Sequence, residues 1–189
     1  MTMPALIQDT KKQQASSRLK KFISVINQAL ISAELDYGPR EDWNIGEMDS
    51  SDASYDFLSN YIKPYVKSFE IEKRQLLNKN MATLRFTDGS QMSIKIGSCY
   101  DIYYDINGEK FPNELGRDIY AFILCRKKGT CNVDSNQVRA YYCVASGTEY
   151  PTREEFITRC KGGGDNARAC TTLLEQNQYE FPKDYPKRL

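Results

Sequence analysis

The sequence contains no histidine among its 189 residues. Histidine is the commonest general base and a frequent zinc ligand, so Ser-His and Cys-His nucleophile pairs are excluded. A phosphate-binding loop is also missing, because the glycines at 162–164 are not followed by the Lys-Ser/Thr pair of that motif. We therefore do not expect an enzyme.

Neither sign of charge is in excess, since 26 Lys and Arg stand against 25 Asp and Glu. A net charge of +1 provides no broad attraction for nucleic acid or anionic lipid. The acidic pairs Glu154 with Glu155 and Asp49 with Asp52 are typical of helix starts and loops rather than of a glycosidase. Charge therefore indicates no nucleic acid binding.

Long apolar runs are missing too: no window approaches the roughly 18 residues of a membrane span, and no signal peptide is recognisable. The six cysteines nevertheless form an even set without a C-x-x-C pair, which indicates disulfides in an oxidising compartment. An exported protein needs a targeting segment. We therefore expect that such a segment has been removed ahead of Met1.

The pairing of six cysteines is open to 15 connectivities. Because short loops close readily, we predict local bonds and assign the remaining pair by elimination. The predicted bonds are Cys125 with Cys131, Cys160 with Cys170, and Cys99 with Cys143.

Apolar residues recur at spacings of three and four through the first part of the chain, which predicts a long amphipathic helix over residues 4–36. Its buried stripe should begin only near Ala15, because residues 8–14 are polar on all sides. A second helix, capped by Ser51 or Asp52, should follow a turn-rich loop.

Four antiparallel strands are predicted next. Alternating apolar residues at 82–86 and 92–96 flank Asp88-Gly89, the signature of a hairpin. Further strands are expected at 99–106 and 119–125. The whole chain is thus predicted to be a single domain, with a helix at 4–36, a variable loop and second helix at 37–80, a sheet at 81–125, and a disulfide-containing region at 126–189.

This order of elements resembles the soluble part of the type IV pilin family. Three strings add to the resemblance: Pro4-Ala5-Leu6-Ile7 before the polar helix, Asp-Ile-Asn-Gly-Glu-Lys-Phe-Pro-Asn-Glu-Leu-Gly-Arg-Asp at 105–118, and Cys-Thr-Thr-Leu-Leu at 170–174 with a later Asp-Tyr-Pro. The resemblance implies an α+β fold in which a long N-terminal α-helix packs on a four-stranded antiparallel β-sheet, with a disulfide-bounded C-terminal region.

The resemblance also implies a function. The protein would be a structural subunit of a type IV pilus or type II secretion pseudopilus that polymerises through its N-terminal helix. Before assembly it would be anchored in the bacterial inner membrane and face the periplasm, and afterwards it would lie in a surface or periplasmic filament with other pilin subunits. The family's leader, its cleavage and methylation site and its apolar half-helix have no counterpart here.

The string at 105–118 also offers a candidate metal site. Asp105, Asn107, Asn113 and Asp118, with backbone carbonyls, could converge on calcium, which takes six to eight oxygen ligands. The alternative is a network of Asx and Gly turns that joins two strands without a metal. No other cofactor is expected.

A different class of function remains open. The chain could be a monomeric secreted binding module for glycan or DNA that uses Tyr141, Tyr142 and Tyr150. An apolar helix encoded upstream would favour the filament subunit over the module.

Overall fold

The computed structural model describes residues 3–127, 131, 137–143 and 149–189, with side chains from Leu6 onward. Short 3-10 segments at Arg40–Asp42, Lys63–Tyr65 and Gly164–Arg168 accompany the main elements. The α-helices are α1 Met3–Tyr37, α2 Ser51–Phe57, α3 Arg153–Gly162 and α4 Ala169–Gln176, and the strands are β1 Ser68–Leu76, β2 Lys79–Phe86, β3 Gln91–Lys95, β4 Cys99–Asp105, β5 Ile119–Cys125 and β6 Arg139–Ala140.

Helix α1 is continuous for 35 residues, a length of roughly 50 Å. Residues 6–14 include no buried side chain, whereas an apolar stripe is buried from Ala15 to Ala33. The predicted long helix and the late start of its stripe are therefore confirmed. In the part of the chain that the structure describes, no helix combines the length and apolarity needed to cross a membrane.

Helix α2 begins one residue after Ser50, whose hydroxyl accepts hydrogen bonds from the N–H groups of Asp52 and Ala53. The cap is thus Ser50 rather than Ser51 or Asp52. A π-helical turn at Leu58–Ile62 and the 3-10 turn containing Pro64 continue the helix. The chain then becomes extended, since proline cannot supply the N–H that a further α-helical turn needs.

The sheet is an antiparallel meander in the order β1-β2-β3-β4-β5-β6. The predicted hairpin is present, because β2 pairs with β3 around Asp88-Gly89 and the last described pair is Arg85 with Gln91. The predicted count of four strands is wrong, since the sheet has six. The additional strands are β1 at one edge and the two-residue β6 at the other.

Strand β1 escaped prediction for two physical reasons. As an edge strand it has no fully buried residue, and its alternation of apolar and polar positions stops after Phe69 and Ile71. It is joined to β2 by a two-residue turn at Leu77-Asn78, and both residues have positive φ, 53° and 58°. Because the first turn residue is a leucine, the sequence lacks the Asn-Gly or Asp-Gly pair that usually indicates a turn of this kind.

The two faces of the sheet are covered differently. Successive residues of a strand point to opposite faces, and neighbouring residues of β4 show what lies on each. The ring of Phe22 in α1 stacks on Tyr104 with 4.0 Å between centroids, while the guanidinium of Arg168 lies 5.6 Å from the ring centre of Tyr103. Helix α1 therefore covers one face, and the C-terminal segment covers part of the other.

The disulfide pairing departs from the prediction in two of its three bonds. Cys99 is bonded to Cys125, not to Cys143, and Cys131 is bonded to Cys143, not to Cys125. The cause is the register of β4 and β5, which places Cys99 directly opposite Cys125 with their Cα atoms 4.1 Å apart. The number of residues between two cysteines does not reveal this register.

The third bond joins Cys160 to Cys170, the pair expected from their short separation, and links the end of α3 to the start of α4. The other two bonds touch each other, since the Sγ atoms of Cys99 and Cys131 are 3.7 Å apart. This spacing of sulfurs would suit a metal, but each sulfur is part of a disulfide.

Candidate functional site

The β4–β5 loop, residues 106–118, brings together the four residues that were predicted to bind a metal. Asp105 is the last residue of β4, Asn107 and Asn113 lie within the loop, and Asp118 immediately precedes β5. The backbone N–H after Asp105 donates to the carbonyl of Asp118 at 3.0 Å. The mouth of the loop is therefore closed, and both carboxylates lie at its base.

Asp118 shapes the loop from inside. Its side chain is buried, at 3% exposure, and its carboxylate accepts hydrogen bonds from the backbone N–H of Asn113 at 2.9 Å and of Glu114 at 2.7 Å. The amide of Asn107 donates a further bond at 3.3 Å. Asp118 thus uses its lone pairs on N–H donors of the loop and holds the turn in place.

Asp105 is buried to a similar extent, at 5% exposure. It accepts hydrogen bonds from the backbone N–H of Asn107 at 3.0 Å and from the amide of Gln91 at 3.3 Å. Burial, with a further contribution from the charge of Asp118, raises the pKa of Asp105 to about 6. Among the described residues, no lysine or arginine forms an ion pair with either carboxylate, so two buried negative charges lie together without a compensating cation.

The orientation of two asparagine amides determines whether they present oxygens or N–H donors to the inside of the loop. In the orientation of the structure, the Oδ1 atom of Asn107 faces Asp105 Oδ1 at 2.8 Å and the carbonyl of Lys110 at 3.2 Å. The Oδ1 atom of Asn113 faces Asp105 Oδ2 at 3.2 Å and the carbonyl of Gly108 at 3.1 Å. None of these oxygens carries a proton, so these contacts are unfavourable as they stand.

Rotating both amides by 180° gives the alternative. Each amide nitrogen then donates to the oxygens named above, and the loop becomes a closed hydrogen-bonded network. The two hypotheses from the sequence, a calcium site and a plain turn network, therefore correspond to the two orientations of Asn107 and Asn113. Without a metal the rotated amides are the favoured orientation, and with calcium the inward amide oxygens would complete a set of six oxygen ligands, the lower end of calcium coordination.

Sequence reasoning missed Gln91 as a partner of the site. Gln91 lies opposite Asp105 in the β3–β4 pairing, and its side chain is 5% exposed. The sequence offered no signal for this contact, because Gln91 occupies a polar position of an alternating strand and its burial is visible only in the structure.

The predicted aromatic binding residues form two groups. Tyr142 and Tyr150 pack edge to face at 5.0 Å, and Phe156 lies 5.0 Å from the first and 5.4 Å from the second. Tyr141 is separate, with the guanidinium of Arg168 4.4 Å from its ring centre. These rings are largely occupied by one another and by an arginine, which leaves no continuous aromatic platform of the three tyrosines.

The acidic pairs set aside in the sequence have structural partners. Glu155 forms a capping box with Thr152, whose backbone N–H donates to it at 2.7 Å. Asp49 pairs with Lys95, and Asp52 pairs with a lysine of β1. None of these carboxylates combines with a second one in the way that glycoside cleavage needs.

Comparison with known proteins yields one match. No curated protein and no solved structure matches the chain. A family model described as a family of unknown function, DUF6613, matches residues 5–189. That match covers the helix, the sheet and the C-terminal disulfide alike, so the chain belongs to the DUF6613 family.

Proposed function

We propose that this protein is a structural subunit of a filament of the type IV pilus or type II secretion pseudopilus kind. The observation that carries the proposal is the division of α1. Residues 15–33 carry a stripe that is buried in the core beside an antiparallel sheet, while residues 6–14 include no buried side chain. Tertiary packing is the usual source of helix stability, so a helix whose residues 6–14 bury no side chain within the chain is suited to packing between subunits.

The start of the helix adds a second argument. Leu6 and Ile7 are 58% and 55% exposed, although both are large and apolar. They precede the polar turns of residues 8–14, which separate them from the subunit's own core. Apolar side chains in this position gain about 25 cal/mol per Å² when they are buried against another surface.

The proposal includes partners and a location. Identical helices would be the partners inside the filament, with other pilin subunits and the assembly machinery at its base. Anchoring in the inner membrane would precede assembly, and the disulfides support an oxidising location such as the periplasm. The role would be mechanical rather than catalytic.

The test is to express the full-length gene product, with its natural flanking sequence, in a bacterium that has pilus assembly machinery and a pilin peptidase. We expect the protein in sheared fibres and a shortened N-terminus by mass spectrometry. A Tyr150→Ala variant serves as a control for the secreted binding module, because it removes an exposed ring and leaves α1 unchanged. It should enter fibres as well as the parent does.

Two outcomes contradict the filament function. The first is a protein that stays in the soluble periplasmic fraction and never enters fibres. The second is a monomer that binds glycan or DNA and loses this binding in the Tyr150→Ala variant. The latter result would favour the binding module.

We further propose that the β4–β5 loop binds calcium and thereby stabilises the subunit. The buried charges of Asp105 and Asp118 carry this proposal, together with the backbone carbonyls of Gly108 and Lys110 that face the same side chains. A divalent cation would compensate both carboxylates, and Asp118 would keep its role of shaping the loop. The loop would then hold β4 and β5 in register at the end nearest α1's first half.

Calcium is expected to raise the melting temperature by about 5 to 10 °C at a hundredfold excess over Kd, because binding to the folded state alone contributes about 2.7 kcal/mol. Asp105→Asn should abolish most of this shift. Asp101→Asn is the matched control, since Asp101 lies in the same strand, is half-buried and also has a raised pKa. Differential scanning calorimetry with calcium and with chelator measures both. A parent protein that ignores calcium contradicts the metal site.

The same carboxylate predicts a dependence on pH without calcium. Its pKa is about 6 in the folded protein against 3.8 when unfolded, so the folded state binds the extra proton between these values. Stability should therefore fall as pH rises from about 4 to about 6, by on the order of 2 kcal/mol from this group. Asp105→Asn should flatten that part of the pH profile in chelator. An unchanged slope would show that Asp105 is not the titrating group.

A further inference from the structure

One end of the molecule carries an unusual acidic segment. Residues 41–62 contain no lysine or arginine, while six carboxylates lie within the acidic segment, residues 41–56. All six side chains are exposed. They belong to Glu41, Asp42, Glu47, Asp49, Asp52 and Asp56.

Most of this charge is not compensated within the chain. Asp49 and Asp52 have lysine partners, but the other four carboxylates form no ion pair among the described residues. Like charges held together repel, which makes a segment of this kind favourable for a cationic partner.

The acidic segment lies at the end of the sheet where β3 and β5 finish. The backbone N–H of Asp49 donates to the carbonyl of Ile96, just after β3. Arg126, just after β5, donates to the carbonyl of Glu41. The β4–β5 loop is at the other end of these strands, seven residues or roughly 23 Å away.

A basic cleft occupies that other end. It lies between the first half of α1 and the β4–β5 loop, has a volume of about 330 Å³, and is lined by four cationic side chains. These are Lys11, Arg18, Lys110 and Arg117. This volume can hold a few side chains of a partner's loop, but not a folded domain.

The acidic residues in the basic cleft already have partners. Asp88 pairs with Lys21 and accepts from Ser90, and these contacts hold its pKa low, at about 2. Asp118 is bonded to loop N–H groups, as described above.

Among the cations of the basic cleft, Arg117 pairs with Glu114, and Arg18 and Lys11 donate to backbone carbonyls. Lys110 has no ion pair among the described residues and is exposed, so it is the cation whose charge remains available to a partner.

Each of the two surfaces also exposes one large apolar side chain. Phe111 at the rim of the basic cleft is 89% exposed, and Met48 within the acidic segment is 52% exposed. A methionine sulfur beside an aromatic ring is a favourable contact. Protein interfaces commonly have a buried apolar anchor, with polar and charged residues at the rim.

We infer that the basic cleft binds the acidic segment of a second copy of this chain, with Met48 of one copy against Phe111 of the other. This inference rests on the proposed filament function, since it names a contact between neighbouring subunits, but its test needs no filament. The two surfaces lie at opposite ends of the strands, so each contact leaves one free cleft and one free segment. Head-to-tail association of this kind can continue from copy to copy.

The test is a charge-swap experiment followed by sedimentation velocity at about 20 mM salt, where exposed charges are weakly screened. The first variant, Lys11→Glu with Lys110→Glu, makes the cleft acidic. The second, Asp42→Lys with Glu47→Lys, makes the segment basic. Each should be monomeric alone, and an equimolar mixture should associate again, because the unchanged cleft of the second variant meets the unchanged segment of the first and the acidified cleft meets the basic segment.

The control is Lys63→Glu with Lys161→Glu, which changes the net charge as the first variant does but lies outside the cleft. It should associate like the parent chain. Phe111→Ser should weaken association about tenfold, and raising the salt to about 0.5 M should abolish it.

A parent chain that stays monomeric at low salt, or variants that associate alone, would overturn the inference. Circular dichroism confirms that each variant is folded. If fibres form and contain both variants at the parent's level, the filament function stands and this contact fails. If the mixture is restored but no chain enters fibres, the contact stands and the filament function fails.

Discussion

Replacing Phe22 by alanine is expected to lower the free energy of unfolding by about 4 kcal/mol. The side chain is 4% exposed and contacts one aromatic ring on each of β2, β4 and β5. Its ring stacks on Tyr104 at 4.0 Å, is tilted on Phe122 at 5.3 Å and meets Phe86 edge-on at 6.4 Å. Truncation removes all three contacts and leaves a cavity in the core.

Leu35→Ala is the matched control, because Leu35 belongs to the same helix but is 82% exposed. Alanine and leucine have similar helix propensities, so this change should cost less than about 0.5 kcal/mol. Urea denaturation of both variants measures the difference. A cost for Phe22→Ala below that of Leu35→Ala would show that α1 is not held to the sheet by this cluster.

The packing of α1 was predictable because it depends on periodicity. Apolar residues at spacings of three and four define one face of a helix wherever that face packs, so the stripe from Ala15 to Ala33 could be identified without knowing the sheet. The hairpin at Asp88-Gly89 was predictable for a similar reason, since a short turn constrains its own flanking strands, although the structure has a three-residue connection at 87–89 instead of the two-residue turn. Both predictions use only neighbouring residues.

The pairing of β1 and the disulfides was not predictable in that way. Strand β1 is recognised by its partner β2 rather than by its own residues, and its turn contains Leu77 in a backbone conformation that leucine rarely adopts. Cys99 meets Cys125 because of the β4–β5 register. The disulfide prediction from loop length assumed a flexible chain. In the folded protein, the pairing of β4 with β5 determines which cysteine sulfurs lie close together.

The candidate metal site was predictable only in part. Its four residues were named from one string, and the structure brings them together because the string is a single loop. What the sequence could not provide is the direction of the amide groups of Asn107 and Asn113, on which the choice between a calcium site and a turn network depends. It also could not provide Gln91, which reaches Asp105 from another strand.

Gly116→Ala should be among the most damaging single changes, with a cost of about 4 kcal/mol. Gly116 has φ of +82°, and a Cβ atom there would lie 2.3 Å from Cys170 Sγ and 2.7 Å from Cys170 Cβ. The backbone cannot move away, because its carbonyl accepts from the hydroxyl of Tyr185 at 2.6 Å and its N–H donates to the carbonyl of Ile119 at 2.8 Å. Overpacking at the disulfide therefore adds to the backbone strain of alanine at positive φ.

Gly89→Ala separates these two contributions. Gly89 has nearly the same φ, +83°, but no atom lies within 4 Å of the position that its Cβ would take. Its replacement should cost only the backbone strain, about 1 kcal/mol. The difference between the two variants, measured by urea denaturation at one pH, is thus the cost of the contact with the disulfide, about 3 kcal/mol. Equal costs for both would mean that the β4–β5 loop does not press against the Cys160–Cys170 bond, and would remove the link between the loop and the C-terminal helices.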